Sequence, residues 1–157
     1  MSEAGAITPR IVVGVDGSDH SMEALRWAAR QAELTGAQLN VVTAWSYPEF
    51  PTPFGIVPDL PLAHDPLAAP RVRLVEAIAS TLGDTPRIAV EPRVVEGPPA
   101  AVLLEAAEGA ELLVVGSRGL GGMKALLLGS VSERCVRHAS CPVVVIHHTK
   151  DHSDLKR

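Results

Sequence analysis

Apolar residues along this chain fall into two alternating patterns. The first is the short apolar run rich in β-branched residues: Ile11, Val12, Val13 and Val15; LNVVTAW to Trp45; Leu112 to Val115; and the CPVVVI stretch near the end. Such runs are too short for buried helices and read as strands covered on both faces. The second pattern repeats apolar residues every three or four positions. It appears at Leu25, Ala28, Ala29 and Ala32; at Val72, Val75, Ile78, Ala79 and Leu82; at Val102, Leu103, Ala106 and Ala107; and at Val131, Cys135, Val136 and Ala139. Each set marks one face of a helix.

Strands are therefore expected over Arg10 to Asp16, Gln38 to Trp45, Arg87 to Val95, Glu111 to Val115 and Cys141 to His147. Helices are expected after Asp16-Gly17-Ser18, over Arg71 to Leu82, after Pro98-Pro99, and after Gly129-Ser130. Either Ser18 or Ser21 can cap the first helix, and Gly36, Gly83 and Gly109 stop the first three. Alternating strands and helices predict an α/β fold, a parallel sheet with helices on both faces. Pro92 cannot donate to a ladder, so its strand belongs at a sheet edge or carries a bulge. Tyr47 to Pro70 holds seven prolines and is expected to be a surface loop with a helical turn near Leu60.

Candidate chemistry gathers after the fourth strand. Gly116, Gly119, Gly121 and Gly122 follow it, and Gly129-Ser130 precede the fourth helix. Glycines let an anion approach the backbone, and consecutive amides form a concave nest. A helix start adds unpaired N–H donors and the positive end of its dipole. Ser130 is expected at or near the N-cap. The loop is no Walker A motif, because Gly129-Ser130 lacks the intervening lysine, and it is no dinucleotide fingerprint.

The register of Gly116, Gly119 and Gly129-Ser130, followed by Val131-Ser132-Glu133 and CPVVVI, resembles the nucleotide loop of the universal stress protein family, ATP-binding branch. The opening IVVGVDGS is similar to that family's first strand and turn, so the resemblance spans residues 9 to 148. It implies a single-domain, doubly wound, Rossmann-like, five-stranded parallel sheet of order 3-2-1-4-5. In that order strands one and four are neighbours at a topological switch point, where ligands bind at strand carboxyl ends. The first motif ends at Asp16 and the second begins at Gly116, so both border one crevice.

The resemblance further implies ATP, with Mg2+ as an optional companion. Val15 and Ala44 match backbone positions that frame the adenine, Asp16 matches an aspartate that contacts the nucleoside, and Gly116, Gly119, Gly129, Ser130 and Val131 match the phosphate loop. For Asp16 the competing role is a turn aspartate bonded to its own backbone. Arg118 either reaches a phosphate or is solvated. Lys124 reads as surface charge, and His20, just past the first turn, either flanks the site or, the favoured reading, is a surface histidine. The implied role is a nucleotide-dependent regulator in stress or growth adaptation, forming a homodimer through the last strand, with a regulatory protein partner. The alternatives are an interaction module with a vestigial site, or an adenine-nucleotide hydrolase or transferase of the same fold.

Composition narrows the classes. With 157 residues, 46% of them hydrophobic, the chain can bury one core. A net charge of −4 without a basic cluster speaks against nucleic acid, and no apolar run is long enough to span a bilayer. MSEAGAITPR has no hydrophobic run, so no signal peptide and a cytoplasmic location are expected. Cys135 and Cys141 form no disulfide framework or zinc set and read as buried or half-buried thiols. His138, His147, His148 and His152 are expected to be solvated, the last three on a fraying end. Flexible ends are expected over 1–8 and 149–157. Catalysis of phosphoryl transfer needs a positioned water and charge-stabilising groups, and only Arg118 and Lys124 offer charge, so at most slow ATP hydrolysis is expected.

Overall fold

The computed structural model describes residues 7–47, 51–52, 55–56, 65–118 and 128–148. Most of the expected ends 1–8 and 149–157, the turn near Leu60, Gly119 and Lys124 lie outside the described residues.

The chain order is β1 (Arg10–Gly14), α1 (Asp19–Thr35), β2 (Gln38–Trp45), β3 (Pro51–Thr52), β4 (Gly55–Ile56), α2 (Ala68–Leu82), β5 (Val90–Glu96), α3 (Pro99–Ala106), β6 (Leu112–Gly116), α4 (Ser130–His138) and β7 (Val143–Ile146). The main sheet runs β5-β2-β1-β6-β7 with every neighbour parallel. This is the expected order 3-2-1-4-5. Pro92 lies in edge strand β5, opposite Val41. Its missing donor costs no ladder bond on the open side. The antiparallel pair β3–β4 breaks the loop expected over 47–70, and α2 begins three residues earlier than expected, at Ala68. Asp65 sets that start: its Oδ1 accepts from Leu67 N–H at 3.0 Å and its carboxylate pairs with Arg71. These bonds, the backbone donor foremost, hold the Asp65 carboxyl below the ordinary carboxylate range.

Because strand side chains alternate, each buried strand feeds two cores. Ile11, Val13, Leu39, Val41 and Val114 pack against Ala24, Leu25, Ala28 and Ala32 of α1 and Leu74 and Ile78 of α2. Val12, Val42, Leu113 and Val115 pack against Val102 and Leu103 of α3 and Cys135 of α4. The alanine stripe on α1 lets that helix lie close to the sheet. Its N-cap is Ser18, whose Oγ accepts from Ser21 N–H at 3.3 Å, and Gly36 closes it with φ of 69°.

Two helix faces differ from the sequence expectation. On α2 the buried residues are Pro70, Leu74 and Ile78, while Val72 and Val75 are more than half exposed. The i, i+4, i+8 row meets α1 and β5, and a valine on each side of it lies off that seam. On α4 the buried residues are Ser132 and Cys135, while Val136 is exposed. Replacing Val75 by serine is therefore expected to change unfolding free energy by less than about 0.5 kcal/mol. Ile78→Val is expected to cost about 1 kcal/mol. Urea denaturation of both variants checks the assignment. A larger loss at Val75 would contradict it.

Candidate functional site

β1 and β6 are adjacent in the sheet, yet their crossover helices leave to different sides. A cleft opens at their carboxyl ends, as it does at such switch points generally. It encloses about 270 Å³ and is lined on one side by Gly14, Val15, Asp16 and Ser21, with Val42 and Ala44 of β2 beside them. Gly116, Arg118, Gly129, Ser130, Val131 and Ser132 line the other side, and Pro99, Leu103 and Val115 add an apolar wall. The size lies near the lower end of the roughly 300–1,000 Å³ of small-molecule sites. Of the sequence-predicted residues, Val15, Asp16, Ala44, Gly116, Arg118, Gly129, Ser130 and Val131 all border this one cleft. Gly119 is outside the described residues.

The β1 side is held by a compact turn. Asp16 Oδ1 accepts from Ser18 N–H at 2.9 Å and from Ser18 Oγ–H at 2.5 Å. Gly17 follows with φ of 86°, a value that disfavours a Cβ. The local role considered for Asp16 is thus realised, and its carboxylate still borders the cleft and remains exposed. Val15 N–H donates to Val42 O at 2.9 Å, and Val15 O accepts from Thr43 Oγ1 at 2.7 Å. The end of β1 is therefore fastened to β2 through both backbone groups of Val15.

On the β6 side Ser130 lies next to the N-cap of α4, within the expectation. Gly129 is the N-cap of α4, and among the described residues no side chain caps the helix. Ser130 is the first helical residue and is exposed. The extended Gly129, with φ of −70° and ψ of 162°, closes the loop base by donating its N–H to Ser117 O at 2.7 Å. Ser132 Oγ donates to Gly116 O at 2.6 Å, which ties the first turn of α4 to the end of β6. The result is a helix N-terminus with no side-chain cap among the described residues, whose first residues line the cleft that Arg118 also lines.

Four contributors escape the sequence reading. Ser132 and Ser117 are buried serines whose value lies in tertiary hydrogen bonds. Pro99 and Leu103 belong to a helix distant in sequence from both motifs. Only the adjacency of Ser117 to Gly116 offered a signal.

His20 is a correction. Rather than a surface group, it is partly buried, and its Nδ1 lies 2.9 Å from Ser117 Oγ and 3.2 Å from the backbone N of His148, which donates to it. Its ring packs edge-on to that of His148 with centroids 5.6 Å apart. His148 is thus engaged, not solvated. Burial lowers the His20 pKa below its ordinary value, and the neighbouring His148, Arg118 and His147 charges act in the same direction. The Ser117–His20 pair has the spacing of a nucleophile and base, but Ser117 is only 1% exposed. A substrate cannot reach it, so the pair is a tether between β6 and α1.

The cysteines behave as expected. Cys135 is buried, which pushes its thiol up to about 11, and half-buried Cys141 is raised by the same cause. Neither supplies thiolate near neutral pH. Among the described residues no group of three or more His, Cys, Asp or Glu side chains is placed to hold a metal ion, and no helix is long and apolar enough to cross a membrane.

A model of the universal stress protein family matches residues 8–147. The chain belongs to the universal stress protein family. It is 37% identical over 143 residues to a universal stress protein of Thermus aquaticus, with 87% of this chain and 96% of that protein aligned. A universal stress protein of Mycolicibacterium smegmatis is 34% identical over 144 residues, covering 87% of this chain but 47% of the relative. The chain therefore spans about half the length of its mycobacterial relatives. Among solved structures, UspA from Lactobacillus plantarum superposes with a TM-score of 0.71 at 24% identity, covering 88% of this chain and 97% of that one. That likeness bears on the fold. A universal stress protein crystallised in complex with cAMP has a TM-score of 0.61 at 31% identity, covering 90% of this chain and 98% of that one.

Proposed function

We propose that this universal stress protein binds an adenine nucleotide, ATP foremost, in the cleft between β1 and β6, and acts as a nucleotide-dependent regulator in stress or growth adaptation. One observation carries the reading: two segments about a hundred residues apart in sequence converge on one cleft lined by both apolar and hydrogen-bonding groups. The apolar part, with Val42, Ala44, Leu103 and Val115, suits a purine ring. The start of α4 and Arg118 suit phosphate oxygens. The 31% identical relative bound to cAMP supports the same ligand class.

The fit is good for a nucleotide and poor for a protein-held Mg2+. Among the described residues Asp16 is the one carboxylate bordering the cleft, and it already accepts two bonds from Ser18. Any Mg2+ would depend on the nucleotide phosphates for most of its ligands. Bound ATP supplies a phosphoanhydride. Around it this chain offers binding and orientation by backbone amides, and the described residues place no base there, so turnover below about 1 s⁻¹ is expected.

Pairing of two copies through β7 completes the reading. Val143–Ile146 form a sheet edge whose four residues are only half buried, and such an edge invites strand addition.

The test is calorimetric titration of ATP, ADP, AMP and cAMP into nucleotide-stripped protein. Saturable binding of ATP, weakened when Arg118 is replaced by alanine, is the expected result. Absence of binding by all four nucleotides would reject the reading and favour an interaction module with a vestigial site.

A further inference from the structure

The histidine cluster beside the cleft has no part in the reading so far. His20 opens α1, Ser117 follows β6, and His147 and His148 follow β7. A single ring nitrogen connects all three elements. His20 Nδ1 is within 3.2 Å of the His148 backbone N–H, which can only donate, so Nδ1 must carry a lone pair and the proton of the neutral ring must sit on Nε2. Ser117 Oγ, 2.9 Å from the same nitrogen, then donates as well. Protonation at Nδ1 ends this arrangement. Ser117 can rotate its hydroxyl and accept instead, but the amide of His148 has no acceptor role to adopt.

The other side of the contact is only half satisfied. The Nδ1 atom of His148 is buried and has no hydrogen-bond partner among the described residues. A buried ring nitrogen without a partner carries a desolvation cost in either tautomer, which solvent exposure removes. Leaving the contact thus relieves one penalty while breaking one bond and one ring contact.

We propose that His20 is a proton-operated latch: neutral, it holds the chain that leaves β7 against α1 and β6, and protonated, it releases His148. The charged groups around it set the direction. On α1 Asp19 favours the charged ring. From the end of β6 Arg118 opposes it, and from the end of β7 His147 and His148 oppose it. Burial acts with the opposing group and is the largest influence. The folded ring therefore takes its proton at lower pH than the unfolded chain does. Its contribution to stability is complete above the unfolded value of about 6.5 and is lost as pH falls through the lower folded value.

Arg118 joins the latch to the cleft, since it lines the cleft and also repels a charged His20. A phosphate-bearing ligand beside Arg118 would offset that repulsion, so ligand and proton should each favour binding of the other. This coupling rests on the proposed nucleotide site. The latch itself does not.

The test is NMR of the intact chain between pH 8 and 5, following the His20 ring and amide hydrogen exchange at His148, with Val114 of β6 as a reporter of the intact fold. Exchange protection at His148 should fall about fivefold or more, the factor for one net hydrogen bond, with the midpoint of the His20 titration. His20→Asn keeps an acceptor near the Nδ1 position without a titrating group and should hold His148 at every pH, whereas His20→Ala should leave it unprotected throughout. Protection at His148 that ignores the His20 titration, or that survives His20→Ala with Val114 unchanged, overturns the latch. Added ATP should move the His20 midpoint upward. If ATP shifts the Gly116 and Arg118 amides but not that midpoint, the coupling is wrong. If ATP shifts nothing, the nucleotide reading fails while the latch is judged on His148 alone.

Discussion

Gly116→Ala is expected to lower the unfolding free energy by about 3 kcal/mol, a large share of the roughly 5–15 kcal/mol of a typical domain. A Cβ at position 116 would lie 2.7 Å from the carbonyl carbon of His20, 2.8 Å from its Cβ and 2.9 Å from its carbonyl oxygen. Two of these three atoms are main chain at the start of α1, so relief requires moving the helix off the sheet. The same helix buries Leu25, Ala28 and Ala32 completely, which resists that movement. Gly14→Ala is the informative control. Its Cβ would meet Leu103 Cδ1 at 2.7 Å and Cδ2 at 3.1 Å, the far end of a side chain that can turn away. The expected loss there is about 1 kcal/mol, smaller because a rotamer change suffices. Urea denaturation of the three proteins decides the matter. Equal stability of Gly116→Ala and the parent would show that position 116 is glycine for the ligand alone.

Asp16→Ala is expected to weaken ATP binding by about 30-fold, within the range for hydrogen bonds to a charged group, and to loosen the β1 turn at the same time. Separating these effects needs Asp16→Asn. The amide oxygen can still accept from Ser18 N–H and Ser18 Oγ–H, the two bonds made by Oδ1. If Asp16 serves the ligand through its charge or its remaining oxygen, the asparagine variant keeps stability but loses affinity. If it serves only the turn, asparagine restores both. Calorimetry with ATP alongside thermal denaturation reads the two quantities independently. Undiminished affinity in Asp16→Ala would remove this residue from the site.

The readable parts of this protein were those governed by local pattern. The β-branched runs at 11–15, 39–45 and 112–115 have no solution as short helices, and the periodic alanines of α1 leave one face to bury. The turn at Asp16-Gly17-Ser18 and the glycines around the second motif were legible because φ above zero and close backbone approach restrict the choice of residue. Pro92 announced an edge strand because a missing donor is tolerable in few places. Strand order came from the family resemblance, since periodicity does not say which strands are neighbours.

Other features depend on what lies across the fold. Val72 and Leu74 are equally apolar, and only the seam between α2 and its neighbours buries one and exposes the other. Ser117 and Ser132 look like ordinary loop and helix serines until His20 Nδ1 and Gly116 O are brought within hydrogen-bonding distance. Gly116 reads as an anion-loop glycine, yet its tightest contact is the main chain of His20, remote in sequence. The histidines that appeared solvated at positions 20 and 148 meet because α1 and β7 both pack beside β6. The sequence by itself determined the main-sheet strands, the four helices and the turns between them, because these follow from steric limits and periodicity within a few residues. The tertiary structure alone decided which side chains are shielded, which serines become ties, and which histidine is kept neutral, because those properties arise from neighbours that only folding assembles.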